Sequence, residues 1–386
     1  MDFLPRLILR NLFRQKLRTF LTALGIVIAV VAFGLLRTIV DAWYAGVEAS
    51  SASRLITRNA ISLVFSLPIH YQRKIRQIDG VTGVGHASWF GGVYITEKNF
   101  FPQFAVEPET YFSLYPELGI KPAELAAFIH DRKGALAGRK LARQYGWKLG
   151  DTIPLRGTIY PGNWSFTIQG IYDALEKGVD ESTFYFQYDY LNEYLKKRGD
   201  PDANHVGIFL TGIDKPGKAA EISAAIDQLF KNSLAETLTE TEKAFQLSFV
   251  AMTETIVMAI QIVSFVVIAI IMAVMANTMA MSARERTREY ATLKAMGFGP
   301  THVALLIAGE SLSISLGAGI AGILATFPIV DAVGGMLGAL FPVFALSGRT
   351  IWMAMGAALV VGGVAAAFPA YRAATVSVGD GLRGMG

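Results

Sequence analysis

Four long apolar runs stand out along the chain: Phe20 to Leu36, Ile256 to Met281, Val303 to Ile329 and Ile351 to Phe368. Charge is almost absent from each. A helix rising 1.5 Å per residue needs about 20 residues to cross a hydrocarbon core of about 30 Å. The first and last runs reach that length once Thr38 to Val40 and Phe344 to Leu346 are added. The pattern predicts four transmembrane helices, at residues 17–41, 251–281, 303–330 and 346–368, with a short external loop at 331–345.

Residues 42–250 follow a different rule. Alternating or β-rich runs at Gly92 to Thr96, Gln103 to Val106, Thr152 to Arg156, Trp164 to Ile171, Thr183 to Phe186 and His205 to Leu210 read as strands. Helical spacing recurs at Ile69 to Ile78, Pro122 to Ile129, Arg139 to Tyr145, Leu191 to Lys197 and Lys218 to Phe230. The stretch is an α+β domain inserted between the first and second helices, long enough for a real core and for two lobes. Ala235 to Met281 contains neither Pro nor Gly and reads as one long helix, or as two with an unmarked break near Ser248. Ahead of the first span, residues 1–16 place Leu4, Leu7, Ile8 and Leu12 among Arg6, Arg10 and Arg14, the pattern of an amphipathic interfacial helix or of a simple basic anchor.

Between the second and third spans lies a charged island, residues 282–302. Arg284, Arg286, Arg288 and Lys294 oppose Glu285 and Glu289, while Tyr290, Leu293 and Met296 recur every three residues. A helix here carries one apolar stripe, and Gly297, Gly299 and Pro300 end it. It is either a solvated turn or a docking helix. In the spans, Gly25 with Ala29, and Ser315 with Gly319, Ala318 and Gly322, form small-residue faces that admit a close neighbour. Glu310 sits about 10 Å along the third span, counted from Val303. Its cost in lipid makes it face protein or water, as a partner for a basic or backbone group or as a transport-path residue.

Composition agrees with a membrane protein: 52% of residues are hydrophobic and 17% charged, against about 25% charged in soluble domains. Arg6, Arg10, Arg14, Lys16 and Arg18 precede the first span with only Asp2 opposing them, whereas Asp331 to Thr350 carries Arg349 alone. The positive-inside rule then sets both termini in the cytoplasm, along with residues 282–302 and the tail 369–386, and puts residues 42–250 outside. That domain holds 22 Lys and Arg against 23 Asp and Glu, so the overall charge of +4 makes no case for nucleic acid. The first run is too long for a typical signal peptide and reads as an uncleaved anchor. No cysteine is present, so the external domain needs no disulfide.

Catalytic signatures are missing. No G-x-x-x-x-G-K-[ST] loop occurs, so no P-loop ATP hydrolysis resides here. His70, His86, His130, His205 and His302 are scattered without H-E-x-x-H, and no metal site is expected. Nor is there a G-x-S-x-G elbow. Asn163-Trp164-Ser165 fits a glycosylation pattern but follows Pro161-Gly162, a turn before a strand. Trp89 to Gly92 reads as a packed turn or as an exposed aromatic loop.

Particular stretches resemble a known family. Arg10-Asn11-Leu12-Phe13-Arg14-Gln15-Lys16-Leu17-Arg18-Thr19-Phe20-Leu21-Thr22-Ala23-Leu24-Gly25-Ile26 is similar, almost residue for residue, to the N-terminal signature of the permease subunits of MacB-type ABC transporters, the superfamily that includes FtsX and LolC/LolE. Glu285 to Glu289 followed by Leu293 to Gly297 resembles its cytoplasmic coupling segment, Glu310-Ser311-Leu312 its third span, and Pro369 to Ala374 its C-terminal end. Val106 to Phe112, Gly138 to Ala142 with Gly150-Asp151, and Phe166 to Asp173 look like its periplasmic core domain. Ser377 to Arg383 departs from the family by lacking a proline before the terminal Leu-Arg.

The resemblance implies a multi-pass protein of the bacterial inner membrane, itself no enzyme, working by mechanotransmission. Two copies, or one copy and a paralogue, associate within the lipid bilayer, with Gly25 and Ala29 as the candidate seam. Each docks a separate ABC ATPase, which holds ATP and Mg; a periplasmic adaptor and an outer-membrane channel are further partners the family allows. Tyr290, Leu293 and Met296 are the expected anchors in the ATPase groove, with Glu285, Arg286, Arg288, Glu289 and Lys294 at the rim. An FtsX-like regulator of a cell-wall hydrolase is the alternative output. Because the chain has no cysteine, topology can be read cleanly. In intact spheroplasts a single cysteine at Ser165 should react with an impermeant thiol reagent and one at Thr287 should not; the opposite result would overturn the orientation.

Overall fold

The structure is a computed structural model that describes residues 7, 8, 10, 11, 14–176, 178–337, 341 and 343–376. Most of the expected amphipathic segment 1–16 and the tail Ser377 to Arg383 lie outside the described residues. The first helix, α1, is Lys16–Ala49, followed by β1 (Arg54–Asn59), β2 (Leu67–Pro68), α2 (Tyr71–Ile75), β3 (Val81–Trp89), β4 (Gly92–Val93) and β5 (Gln103–Val106). Next come α3 (Tyr111–Leu114), β6 (Leu118–Gly119), α4 (Pro122–His130), β7 (Gly134–Gly138), α5 (Arg139–Tyr145), β8 (Thr152–Gly157) and β9 (Gly162–Ala174). Then β10 (Phe184–Gln187), α6 (Tyr188–Arg198), β11 (His205–Val206), β12 (Ile208–Ile213), α7 (Ala219–Leu229), β13 (Thr237–Thr241) and α8 (Glu242–Met252) complete the α+β part. Finally α9 (Glu254–Glu285), α10 (Thr287–Ala295), α11 (Pro300–Leu337) and α12 (Gly348–Thr375) follow.

Two compact units result: a helical unit of Met1–Ala42, Glu254–Met336 and Phe344–Gly386, and an α+β unit of Trp43–Thr253 with Leu337–Val343. Four helices, α1, α9, α11 and α12, are long and apolar enough to cross a membrane. They overrun the expected spans: α11 alone has 38 residues, or about 57 Å. The expected loop at 331–345 therefore begins only after the helix has reached Leu337, and the tail continues as helix to Thr375.

In the α+β unit one mixed sheet of eleven strands replaces the two lobes that chain length suggested, in the order β13-β1-β12-β3-β5-β10-β7-β9-β8-β4, with β6 beside β9. Among the described residues only β5 with β10 and β7 with β9 run parallel. Central strands bury both faces. Leu55, Ala105, Ala137, Phe184, Phe186 and Phe209 enter one core, while Ile56, Val106, Leu136, Tyr185 and Leu210 enter the other. Such strands do not alternate, and β7, Gly-Ala-Leu-Ala-Gly, has no β-branched residue at all. That is why β1, β3 and β7 escape a search for period-two patterns. Gly138 is required where β7 meets α5: a Cβ there would lie 2.8 Å from Cα of Glu181. Phe90 is fully buried and Trp89 partly exposed, with Gly91 at φ 63° between the packed turn and β4.

The expected helix from Ala235 to Met281 is not one element. Thr237–Thr241 pairs with β1 instead, because Thr237 and Thr239 hand their hydroxyls to Asp227 on α7. Thr241 then caps α8, accepting from the amide of Ala244 at 3.2 Å. α8 ends at Thr253, whose φ and ψ of −112° and 10° separate it from α9. Where the chain enters the sheet and where it leaves are tied by one side chain. Arg54 donates to Glu242 at 2.8 Å, to the Leu114 carbonyl at 2.7 Å and to Glu117 at 2.5 Å. Glu242 also accepts from the Ser51 amide at 2.8 Å and the Tyr115 hydroxyl at 2.9 Å.

His86 on β3 is 3% exposed, and neither ring nitrogen has a protein partner. It stacks edge-on against Tyr188 with ring centroids 4.7 Å apart. Burial lowers its pKa from 6.5 to about 4. Between those two values the unfolded chain binds the proton and the folded chain does not, so stability falls as pH drops from 6.5 to 4. The shift is worth about 3 kcal/mol. Chemical denaturation of the full chain in detergent, followed by tryptophan fluorescence across that range, should show a steeper loss for wild type than for His86→Leu. Equal slopes would remove His86 from the pH response.

Candidate functional site: the charged junction of the helical unit

Arg286 follows the last residue of α9 with φ −100° and ψ 11°, outside helical geometry, and the chain re-enters a helix as α10. α10 closes with the amide of Phe298 donating to the Leu293 carbonyl at 3.1 Å and that of Gly297 to Lys294 at 3.0 Å. Gly297, at φ 98°, supplies the left-handed residue that this ending requires. Pro300, whose missing amide costs nothing at a first helical position, opens α11.

Among the described residues, every charged side chain around α10 except Arg284 and Arg288 has a polar partner within the unit. Arg286 donates to Glu310 of α11 at 2.7 Å, with side chains 5% and 10% exposed. Its other terminal nitrogen reaches the Asn11 carbonyl at 3.5 Å. Arg18 forks onto both oxygens of Glu285, each at 2.7 Å, and Arg14 pairs with Glu289 at 2.5 Å. Lys294 donates to the carbonyls of Ala373, Ala374 and Val376 at 2.9, 2.8 and 2.7 Å. Those carbonyls belong to the end of α12, where a helix leaves its acceptors unpaired and welcomes a cation. Tyr290 is buried against Val303, Leu306, Ile307, Ala370 and Ala373, with Leu293 half-buried beside it.

The structure places the residues of the island as follows. Tyr290 is 4% exposed and belongs to the unit's own core. Arg286 and Lys294 each satisfy a neighbouring helix. Glu285 and Glu289 face the segment before α1. What remains outward is Arg288, Thr292, Ala295 and Met296, the last 64% exposed, at helical spacing on one face.

The small residues of the spans pack inside the chain. A Cβ on Gly25 would meet Ile271 of α9 at 3.2 Å, and Ala29 is 8% exposed. Gly25 and Ala29, the candidate seam between copies, thus make contacts within this chain. Gly319 lies against Ala358, Gly322 against Val30, and Ser315 against Gly362. Ser311 donates to the Gly362 carbonyl at 2.7 Å. Sequence reasoning missed a polar cluster at the other end of the spans. Asp41 accepts from Ser347 at 2.6 Å and Thr350 at 2.8 Å, with Arg37 3.6 Å away. Its signal was present as an i,i+4 charge pair at the end of an apolar run and a Ser-x-x-Thr cap opening another.

Among known families, the MacB-like periplasmic core domain matches residues 19–229 and the FtsX-like permease C-terminal domain matches residues 261–378. The chain belongs to the MacB/FtsX-type permeases. An uncharacterized ABC transporter permease of Methanocaldococcus jannaschii is 24% identical over 97% of this permease and 96% of its own length. Two solved structures are similar to the α+β part. The extracellular domain of the noncanonic ABC-type transporter YknZ from Gram-positive bacteria matches all of its own length and 49% of this chain, with 11% identity and a TM-score of 0.36. The periplasmic region of MacB from Actinobacillus actinomycetemcomitans matches 95% of its own length and 53% of this chain, with 12% identity and a TM-score of 0.38.

The Arg286–Glu310 pair is buried, with side chains 5% and 10% exposed. Removing one partner of a buried ion pair leaves an uncompensated charge and costs about 3 to 5 kcal/mol. Arg286→Ala and Glu310→Ala should each lower the thermal unfolding temperature in detergent, and the double variant should lose less than the sum of the two. Strict additivity would mean that the pair is not coupled.

Proposed function

We propose that this permease is the membrane subunit of an ABC transporter whose ATPase, with its ATP and Mg, is a separate polypeptide. α10 docks on that ATPase through Arg288, Thr292, Ala295 and Met296, and closure of the ATPase dimer is relayed to the external α+β domain, exporting or extracting a substrate there. Two permease copies, or one and a paralogue, complete the transmembrane part in the bacterial inner membrane, with both termini cytoplasmic.

The observation that carries this reading is the fastening of α10 to three spans at once. A solvated turn would leave its charges in water. Here Arg286 holds α11, Lys294 holds the end of α12, and Glu285 and Glu289 hold the start of α1 and the residues before it. A force on the outward face of α10 is therefore passed to all of them without first taking up slack. The family match supports an ATPase partner, because permeases of ABC transporters work with one.

Met296→Asp tests the docking face. A central apolar contact carries more interface energy than a rim charge, so the variant should bind the ATPase at least tenfold more weakly, a loss of about 1.4 kcal/mol. Arg288→Ala should cost less, and the unfolding temperature of Met296→Asp should match wild type because the side chain touches solvent. Unchanged ATPase binding and coupled turnover in reconstituted vesicles would return α10 to a structural turn. A coupled ATPase stimulated by a bound cell-wall hydrolase rather than by cargo would favour the regulatory output.

A further inference from the structure

A pocket of about 390 Å³ opens between the ends of α9 and α12. Ala280, Ala283, Phe368 and Pro369 form its apolar part, and Arg284 and Arg372 bring two guanidinium groups to it. Among the described residues neither arginine has an ion-pair partner, and no carboxylate lines the pocket. The acids of the same junction are engaged elsewhere: Glu285 by Arg18, Glu289 by Arg14 and Glu310 by Arg286. The guanidinium carbon of Arg372 lies over the Phe368 ring, 5.3 Å from its centroid, which holds the cation beside the apolar side. Phe368 and Tyr371 beside it are 57% and 71% exposed, and Met281 is 49% exposed, so the pocket is continuous with an apolar surface on two membrane-spanning helices.

We propose that this pocket binds the phosphate of an anionic phospholipid, with the acyl chains lying along Phe368 and the apolar faces of α9 and α12. Three features select that ligand. Two arginines, each a planar five-donor group, line one pocket without a neutralising acid among the described residues, which suits a phosphodiester. They sit where apolar spans give way to charged sequence, the depth of lipid headgroups. An apolar wall rises directly from the polar rim, which a soluble phosphate would leave uncovered. The position also has a consequence. Pocket residues Arg284 and Tyr290 flank the start of α10, and Lys294 grips the carbonyls of the α12 end that form the opposite wall. A seated lipid braces the point where α10 is anchored.

The test uses the full chain, delipidated in detergent, with phosphatidylglycerol as the probe and phosphatidylcholine and glycerol 1-phosphate as controls. Phosphatidylglycerol should raise the unfolding temperature and remain bound in native mass spectra, while phosphatidylcholine and glycerol 1-phosphate at equal concentration should not. Arg284→Gln with Arg372→Gln should weaken retention of phosphatidylglycerol at least tenfold. Because that variant removes interfacial charge, a second one, Ala283→Leu, keeps both arginines and fills the pocket; it too should lose the lipid. Equal retention by either correctly inserted variant, or an equal shift from glycerol 1-phosphate, would overturn the proposal.

Discussion

One buried ion pair sets the terms for the helical unit. Arg286 and Glu310 come from elements separated by a helix and a turn, and each would be costly alone at that depth. Together they require α10 to lie back against α11. That placement buries Tyr290 among Val303, Leu306 and Ile307, and it brings Lys294 within reach of the unpaired carbonyls at the end of α12. The remaining carboxylates then face the basic residues that precede α1. A loop of mixed charge becomes a rigid bracket because one of its charges has a partner inside a neighbouring span.

The small residues complete the same unit from the other side. Gly319 and Gly322 are one turn apart on α11, yet they serve different neighbours, Ala358 of α12 and Val30 of α1. In lipid, helices gain little from hiding apolar surface and associate through close packing and polar contacts. Both kinds of contact are present, the glycines along the middle of the spans and the Arg286 and Asp41 clusters towards their ends.

Much of this was legible in the sequence, and the failures have physical causes. Hydropathy located the four spans because a bilayer imposes a length on them, and helical spacing found α5 at Arg139–Tyr145 to the residue. Strands buried on both faces left no alternation to detect, so β1, β3 and β7 were invisible although each lies between two other strands of the sheet. The run from Ala235 to Met281 lacked helix breakers, but Asp227 captures two of its threonines and a partner strand is waiting, which tertiary contacts alone decide. At the junction, spacing identified which residues of α10 share a face. It could not tell which face turned inward, because that depends on Glu310, 24 residues from Arg286 in sequence. Tyr290 was therefore assigned to a partner and belongs to the core, whereas Met296 remained outside.

The Arg54 clamp has its own consequence for how such a protein can vary. β1 and β13 are antiparallel neighbours, with Leu55 opposite Thr241, so the chain comes in and goes out about 5 Å apart. Arg54 bonds to the residue that begins the outgoing helix and shares it with the amide of Ser51, just before the incoming strand. Topologically the stretch Trp43–Thr253 of the α+β unit is thus a long insertion whose two ends are fastened together by this clamp and by the β1–β13 pairing. Strands and helices beyond the clamp can be lengthened, lost or exchanged in evolution without altering the spacing of the two chain ends that the spans must accommodate. The α+β unit can diversify in this way while the helical unit stays constant.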